Sequence, residues 1–220
     1  MGLILHIETT GPICSVALSN DGKLINTKKS EEANAHGSVL TVLIQELLAE
    51  NNYKIENLEA VSLSSGPGSY TGLRIGSSTA KGICYALNIP LIAISTLEIL
   101  KQASDTENTL VLIDARRMDA YAGFYKDSEK IFEKNITMND DFFKNLKTDY
   151  PNFSIVGNIG DKLETIETTK DVNYKDCSIP EASNQVEIAF NKWKNKTFET
   201  IDLFTPNYLK TWEEGQKQQR

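Results

Sequence analysis

Only a few residue types in this chain could do chemistry. Two acids end strand-like apolar runs: Glu8 closes the first, and Asp114 closes Thr109–Asp114. Acids at strand ends can hold a hydrated metal ion against a phosphate. There are two histidines, His6 and His36. Two histidines at i and i+4 on a helix share one face and can grip one ion, but Leu40 stands four residues after His36. His6 reads as a strand histidine and His36 as a capping or surface residue. Ser65 and Ser69 have no nearby histidine, so a hydrolytic triad would have to draw its base from His6 or His36. Cys84 is flanked by apolar residues, which raises a thiol pKa rather than activating it. None of the three cysteines forms a C-x-x-C pair, so neither a zinc knuckle nor a redox motif is indicated.

The most constrained stretch is the turn 64–76, Ser-Ser-Gly-Pro-Gly-Ser-Tyr-Thr-Gly-Leu-Arg-Ile-Gly. It follows the strand-like run Leu58–Leu63 and precedes apolar residues at helical spacing, Leu73, Ala80, Ile83, Cys84 and Leu87. Gly66 and Gly68 can take left-handed φ, with Pro67 fixing the chain between them. Ser69 or Thr71 is placed to cap the helix. The spacing matches neither G-x-x-x-x-G-K-[ST] nor G-x-G-x-x-G, so no phosphate loop is predicted from it. Gly72 and Gly76 lie one turn apart, where each costs about 1 kcal/mol relative to Ala. Small residues at that spacing let another backbone approach, so they read as a packing face. Arg74 reads either as a contact to a partner or nucleotide, or as one end of an inward salt bridge.

These residues need elements to position them. Leu3–Thr10, Ile13–Ser19 and Lys23–Lys29 read as strands, with Asn20–Gly22 as a hairpin turn. Ser38–Asn51 reads as a helix whose apolar residues cover more than half its circumference. It is either buried within one domain or divided between a core face and a partner face. Leu91–Ile94 is a strand, and Ser95 caps a helix running to about Ala103. The polar Ser104–Asn108 marks a boundary. Strands Thr109–Asp114, Ala120–Tyr125, a run around Ile131 and Phe153–Val156 follow, with helices Asp140–Leu146 and Ala182–Trp193. The order partly echoes the first half. Glu213–Arg220 reads as a frayed polar tail.

Composition narrows the classes of function. With 40% hydrophobic and 24% charged residues over 220, the chain reads as a soluble α/β protein of one or two domains. A net charge of −7 disfavours tight binding to nucleic acid by this chain alone. Leu3–Ile7 is too short to span a membrane and lacks the basic flank of a signal peptide. His6 stands where a myristoylation signal needs Ser or Thr. The reading is cytoplasmic, with no membrane association.

The turn 64–76 with Ala80-Lys81-Gly82 closely resembles the signature of the bacterial TsaB (YeaZ) family, within the TsaD/TsaB group of actin-like proteins. Ile4–Thr10, the run Asp114-Ala115-Arg116-Arg117-Met118-Asp119-Ala120-Tyr121 and Pro206-Asn207-Tyr208-Leu209 resemble its other motifs. The resemblance implies a two-lobed actin-like (ASKHA, ribonuclease-H-like) α/β fold, with mixed sheets flanked by helices. The first lobe is then 1–103 and a second, degenerate lobe is 104–203, with about 204–220 packing back on the first. It implies a non-catalytic partner of TsaD, acting with the ATPase TsaE in placing threonylcarbamoyl on the tRNA adenosine beside the anticodon. Such chains dimerise with TsaD through first-lobe helices, and with themselves when alone.

The interface candidates are then Gly72, Gly76, Thr79, Leu40, Leu43 and Leu47, beside the turn residues Gly66, Pro67, Gly68, Ser69, Tyr70, Thr71 and Arg74. Glu8 and Asp114 remain candidates for a nucleotide site, although the family more often has Asp where Glu8 stands. The expectation is no catalytic residue, no metal and no cofactor of the chain's own. ATP is used by the assembled complex, and tRNA is reached through it. The competing expectation is a free-standing ATPase or glycoprotease-like peptidase of the same fold.

Overall fold

The computed structural model describes residues 2–127, 129–177 and 180–209. Two compact units are present: Met1–Ile99 together with Ile179–Asn207, and a second built on Leu100–Ser178.

In the first unit, β1 (Leu3–Glu8), β2 (Ser15–Asn20) and β3 (Lys23–Lys29) form an antiparallel meander. The β2–β3 turn has Asp21 and Gly22 at φ 49° and 75°, the left-handed pair that a tight hairpin requires. Helix α1 (His36–Glu50), β4 (Ala60–Ser64), α2 (Tyr70–Leu87), β5 (Leu91–Ile94) and α3 (Thr96–Lys101) follow. β4 and β5 add in parallel, giving the order β3-β2-β1-β4-β5. β1 is buried along its whole length because it lies in the middle of the sheet.

Of the two readings of α1, burial within one unit holds for most of its apolar residues. Leu40, Ile44, Leu47 and Leu48 are buried with Leu5, Ile7, Val16 and Leu63 in one core. Leu43 is half-buried against the same core, and Val42 is exposed. Lys28 of β3 pairs with Glu46 and Glu50, at 2.8 and 2.7 Å, and holds α1 down at its rim.

In the second unit the elements are β6 (Asn108–Asp114), β7 (Asp119–Lys126), β8 (Glu129–Thr137), α4 (Asp140–Asp149), β9 (Ser154–Gly157), the four-residue α5 (Gly160–Leu163) and β10 (Asn173–Asp176). The sheet order is β10-β9-β6-β7-β8. Phe124 and Phe143 lie at the centre of its core. Asn139 caps α4 by accepting from the Phe142 amide at 2.8 Å.

The last helix, α6 (Val186–Lys194), follows a 3-10 turn at Ala182–Gln185. The sequence reading gives 104–203 to the second lobe, but Pro180–Asn207 belongs to the first unit, and Tyr208 and Leu209, expected to pack back on the first lobe, group with the second. The contacts of Pro180–Asn207 explain its place. The Ala182 amide donates to Ser15 Oγ at 3.0 Å, and Ala189 is buried with Ile4, Ile92 and Ile94. A Cβ on Gly22 would lie 2.5 Å from the Phe190 ring. Phe204 joins the first core, and the Asn207 amide donates to Ser65 O at 2.7 Å. Of the segment 204–220, residues 210–220, including the frayed tail read at 213–220, lie outside the described residues.

Ser95 does not cap α3 with its side chain. Its hydroxyl, like that of Thr96, is buried without a hydrogen-bond partner.

Candidate functional site

The glycine-rich turn connects β4 to α2, and its shape follows from what it packs against. A Cβ on Gly66 would sit 2.4 Å from Asn207 O. One on Gly68 would sit 2.5 Å from Thr10 Cβ, one on Gly72 only 1.9 Å from Thr9 O, and one on Gly76 2.4 Å from Thr9 Oγ1. Gly66 also needs its φ of 100°. Ser69 caps α2, its Oγ accepting from the Gly72 amide at 3.2 Å. The Ser69 amide donates to Thr10 O at 2.8 Å, and Thr9 Oγ1 donates to Gly72 O at 2.8 Å. The turn is therefore a close-packed joint between α2 and Thr9-Thr10 beyond β1.

Gly72 and Gly76 are thus not a face offered to another chain: the backbone they admit is this chain's own. Leu40 and Leu47, at 1% and 0% exposure, are likewise removed from any interface by their place in the core. Thr79 and Leu43 are partly exposed. The outward face of α2 carries Thr71, Arg74, Ser78, Gly82 and Tyr85. Tyr85 is 77% exposed, and a Cβ on Gly82 would meet nothing within 4 Å. Arg74 takes no inward salt bridge: it is exposed, with its guanidinium 4.3 Å from the centroid of the exposed Tyr70 ring. Sequence reasoning named Thr71 and Arg74 but missed Ser78, Gly82 and Tyr85, although their signal was present. Gly72, Gly76, Ala80 and Cys84 recur every four residues as the inward ladder, which leaves 71, 74, 78, 82 and 85 facing out.

Glu8 is fully buried and both its oxygens are engaged. Oε1 accepts from the Thr10 amide at 2.7 Å and the Thr10 hydroxyl at 2.6 Å, and Oε2 accepts from the Ser64 hydroxyl. Burial raises its pKa, opposed by the hydrogen bonds of Ser64 and Thr10.

The acid ends a longer buried chain of donors. Gln185 Nε2 donates to Ile7 O at 2.9 Å and to Ser64 Oγ at 3.2 Å. Ser62 gives its only proton to Gln185 Oε1 at 2.8 Å, so its oxygen receives the His6 Nδ1 proton at 2.7 Å. His6 Nε2 then accepts from Ser19 at 2.7 Å. This fixes a neutral tautomer, in keeping with a His6 pKa pushed down by burial to about 3. No sequence signal marks Gln185, which follows Asn184 in a short polar run.

Asp114 is differently placed. It belongs to the second unit and is exposed, and its Oδ1 accepts from the Arg116 amide and Lys162 Nζ, each at 2.6 Å. The strand-end acids are therefore occupied in unlike ways. His36 is neither cap nor surface residue. It is 4% exposed, with Nε2 donating to Gly11 O at 3.0 Å.

The residues do not fit a resident metal: His36 is engaged, Leu40 fills i+4, and no group of three His, Cys, Asp or Glu among the described residues could hold an ion. Burial pushes the Cys14 and Cys84 thiols up to about 12, so neither is an activated nucleophile. Among the described residues no helix is long and apolar enough to cross a membrane.

Comparison with known proteins gives these features a family. Residues 26–210 match the sequence profile of TsaD, tRNA N6-adenosine threonylcarbamoyltransferase. The tRNA threonylcarbamoyladenosine biosynthesis protein TsaB of Haemophilus influenzae is 26% identical over 229 residues, covering 95% of each chain. The TsaB of Escherichia coli is 33% identical over 130 residues, spanning 57% of this chain and only 56% of that protein. YeaZ from Pseudomonas aeruginosa superposes at a TM-score of 0.79 and 23% identity, covering 95% of this chain and all of that one. The fold, with its mixed sheets flanked by helices, is actin-like. It is shared at a TM-score of 0.50 and 10% identity with an inorganic polyphosphate/ATP-glucomannokinase from Arthrobacter, over 88% of this chain and 100% of that one. The chain belongs to the family of TsaD, tRNA N6-adenosine threonylcarbamoyltransferase, and is similar to TsaB (YeaZ) proteins.

Proposed function

We propose that the chain is the non-catalytic partner subunit of TsaD. It would dock on that enzyme to favour the arrangement that transfers threonylcarbamoyl to the tRNA adenosine beside the anticodon. The observation that carries this reading is a contrast in how side chains are used. The groups that chemistry would need, Glu8, His6, His36 and Cys84, are buried in the fold and most are hydrogen-bonded there. The outward face of α2, by contrast, presents Tyr70 and Arg74 at its start and Tyr85 beside the open position at Gly82 near its end. Exposed Tyr and Arg side chains on one helix face are the composition of a docking surface. Thr79 and Leu43 are partly exposed and Val42 is exposed.

In this role the chain has no cofactor of its own, and ATP is consumed by the assembled complex with TsaE. The tRNA is reached through TsaD, which accords with a net charge of −7 on this chain. The setting is the cytoplasm, and the same face serves self-association when TsaD is absent. Docking raises transfer only in so far as this chain binds the competent state of TsaD more tightly than the other.

Gly82→Gln tests the surface. A Cβ there meets nothing within 4 Å on an exposed helix face, so the fold is expected to be kept, while the added side chain stands where a partner would pack. The expected result is a loss of TsaD affinity of about tenfold or more on titration, with tRNA modification lost in a mixture of this chain, TsaD and TsaE. Unchanged affinity would remove α2 as the contact. ATP turnover by the isolated chain, lost in Asp114→Asn, would instead favour the free-standing enzyme.

A further inference from the structure

The chain from Gln185 to α2 is continuous. Gln185 Nε2 reaches Ser64, Ser64 reaches Glu8, and Glu8 receives Thr10 at both its amide and its hydroxyl. Thr10 O in turn receives the Ser69 amide, and Ser69 begins α2. Every link lies in the first unit, and Gln185, Glu8, Ser64 and Thr10 are each at most 5% exposed. Gln185 comes from the C-terminal segment, 121 residues after Ser64, so this is a long-range tie and not a local cap.

We propose that Glu8 and Gln185 are positioning residues for the docking face, seating the first turn of α2 through Ser64 and Thr10. The physical reason is directional. Each hydroxyl has one proton, and all protons in this chain run toward the carboxylate of Glu8. Glu8 can satisfy three donors at once only with Thr10 held close, and Thr10 held close fixes where the Ser69 amide finds its acceptor. The glycines allow this contact and the hydrogen bonds set its register. A strand-end acid that could face a metal ion is here turned to holding a helix. The proposal rests on the docking role of α2, and it touches the face from behind without contacting a partner.

The test uses the full chain and two small changes. Ser64→Ala breaks the link between Gln185 and Glu8 while leaving the bond from Gln185 to Ile7. Thr10→Val removes the hydroxyl donor while keeping the amide, and Thr10→Ser restores that donor as the rescue. Amide hydrogen exchange of the isolated chain is read at residues 69–73 and at α1, alongside TsaD affinity. The expected result is exchange at 69–73 faster by about tenfold in Ser64→Ala and Thr10→Val, with α1 unchanged. TsaD affinity should fall by a similar factor, and Thr10→Ser should recover both.

Equal acceleration in α1 and at 69–73 would show a general loss of stability and overturn the proposal. Faster exchange at 69–73 with TsaD affinity intact, while Gly82→Gln still blocks docking, would overturn it too and leave the docking face standing. If Gly82→Gln docks normally, the docking reading fails. Exchange at 69–73 then still decides whether this chain seats the helix: local acceleration upholds that part, and none overturns it.

Discussion

The two units are built on one plan. The first sheet runs β3-β2-β1-β4-β5 and the second, read from its other edge, β8-β7-β6-β9-β10. In each, a three-stranded meander is extended by two parallel strands, with a helix before the fourth strand and another after it. Yet α2 has eighteen residues and its counterpart α5 has four. The acids at the ends of the matching strands differ as sharply. Glu8 is sealed among uncharged donors, whereas Asp114 lies in the open beside Lys162. A shared topology therefore does not carry a shared role for the strand-end acid. In one unit it organises the interior, and in the other it makes a surface pair.

The strongest way to break this comparison is to remove both acids in turn. Glu8→Ala leaves three buried donors without an acceptor and opens a cavity, a loss of about 4 kcal/mol. Asp114→Ala removes an ion pair whose carboxylate is 44% exposed, and such pairs contribute less than about 1 kcal/mol. Urea midpoints of the two variants measure the difference. Similar losses would mean that the two strand ends are equivalent after all.

The second contrast lies within α2. Ala at position 72 would drive its Cβ to 1.9 Å from the Thr9 carbonyl, which is backbone and cannot swing aside. Gly72→Ala should therefore cost about 3 kcal/mol from overpacking alone. Gly82→Ala meets open space and gains about 1 kcal/mol from helix propensity. Two glycines ten residues apart in one helix should thus move the urea midpoint in opposite directions. A shift of the same sign in both would show that the joint with Thr9 has slack.

How much of this was legible before any coordinates follows from range. Elements set by local pattern were readable. The hairpin at Asp21-Gly22, the strand Lys23–Lys29, the Ser69 cap and the extent of α2 all follow from turn chemistry and periodicity. What failed depends on partners distant in sequence. The glycines at 72 and 76 signalled close approach correctly, but the pattern could not say whose backbone approaches. Thr9 is more than sixty residues away. Leu40 and Leu47 were misplaced because a helix apolar over most of its girth looks the same whether a sheet or another chain covers it. Pro180–Lys194 was given to the wrong unit because its contacts with Ser15, Ser62 and Ile4 leave no mark on spacing.

The last contrast concerns pH, and the second unit has no counterpart to it because neither histidine lies there. His6 is neutral in the fold, its pKa lowered from 6.5 to about 3 by burial. Between those values the unfolded chain binds a proton that the folded chain does not. The contribution of His6 is thus complete above pH 6.5 and is lost as pH falls toward 3. At 1.36 kcal/mol per pH unit, two units below 6.5 remove about 2.7 kcal/mol. Glu8 acts with the opposite sign, since its raised pKa lets the folded state keep a proton that the unfolded state has released. The two are separated by comparing the chain with His6→Gln, which can still donate to Ser62 and accept from Ser19 but does not titrate. Glu8 is present in both, so the difference between their urea midpoints from pH 7 to pH 4.5 reports His6 alone. Parallel curves would mean that His6 titrates alike in the folded and unfolded chain, and the destabilisation assigned here to its burial would be absent.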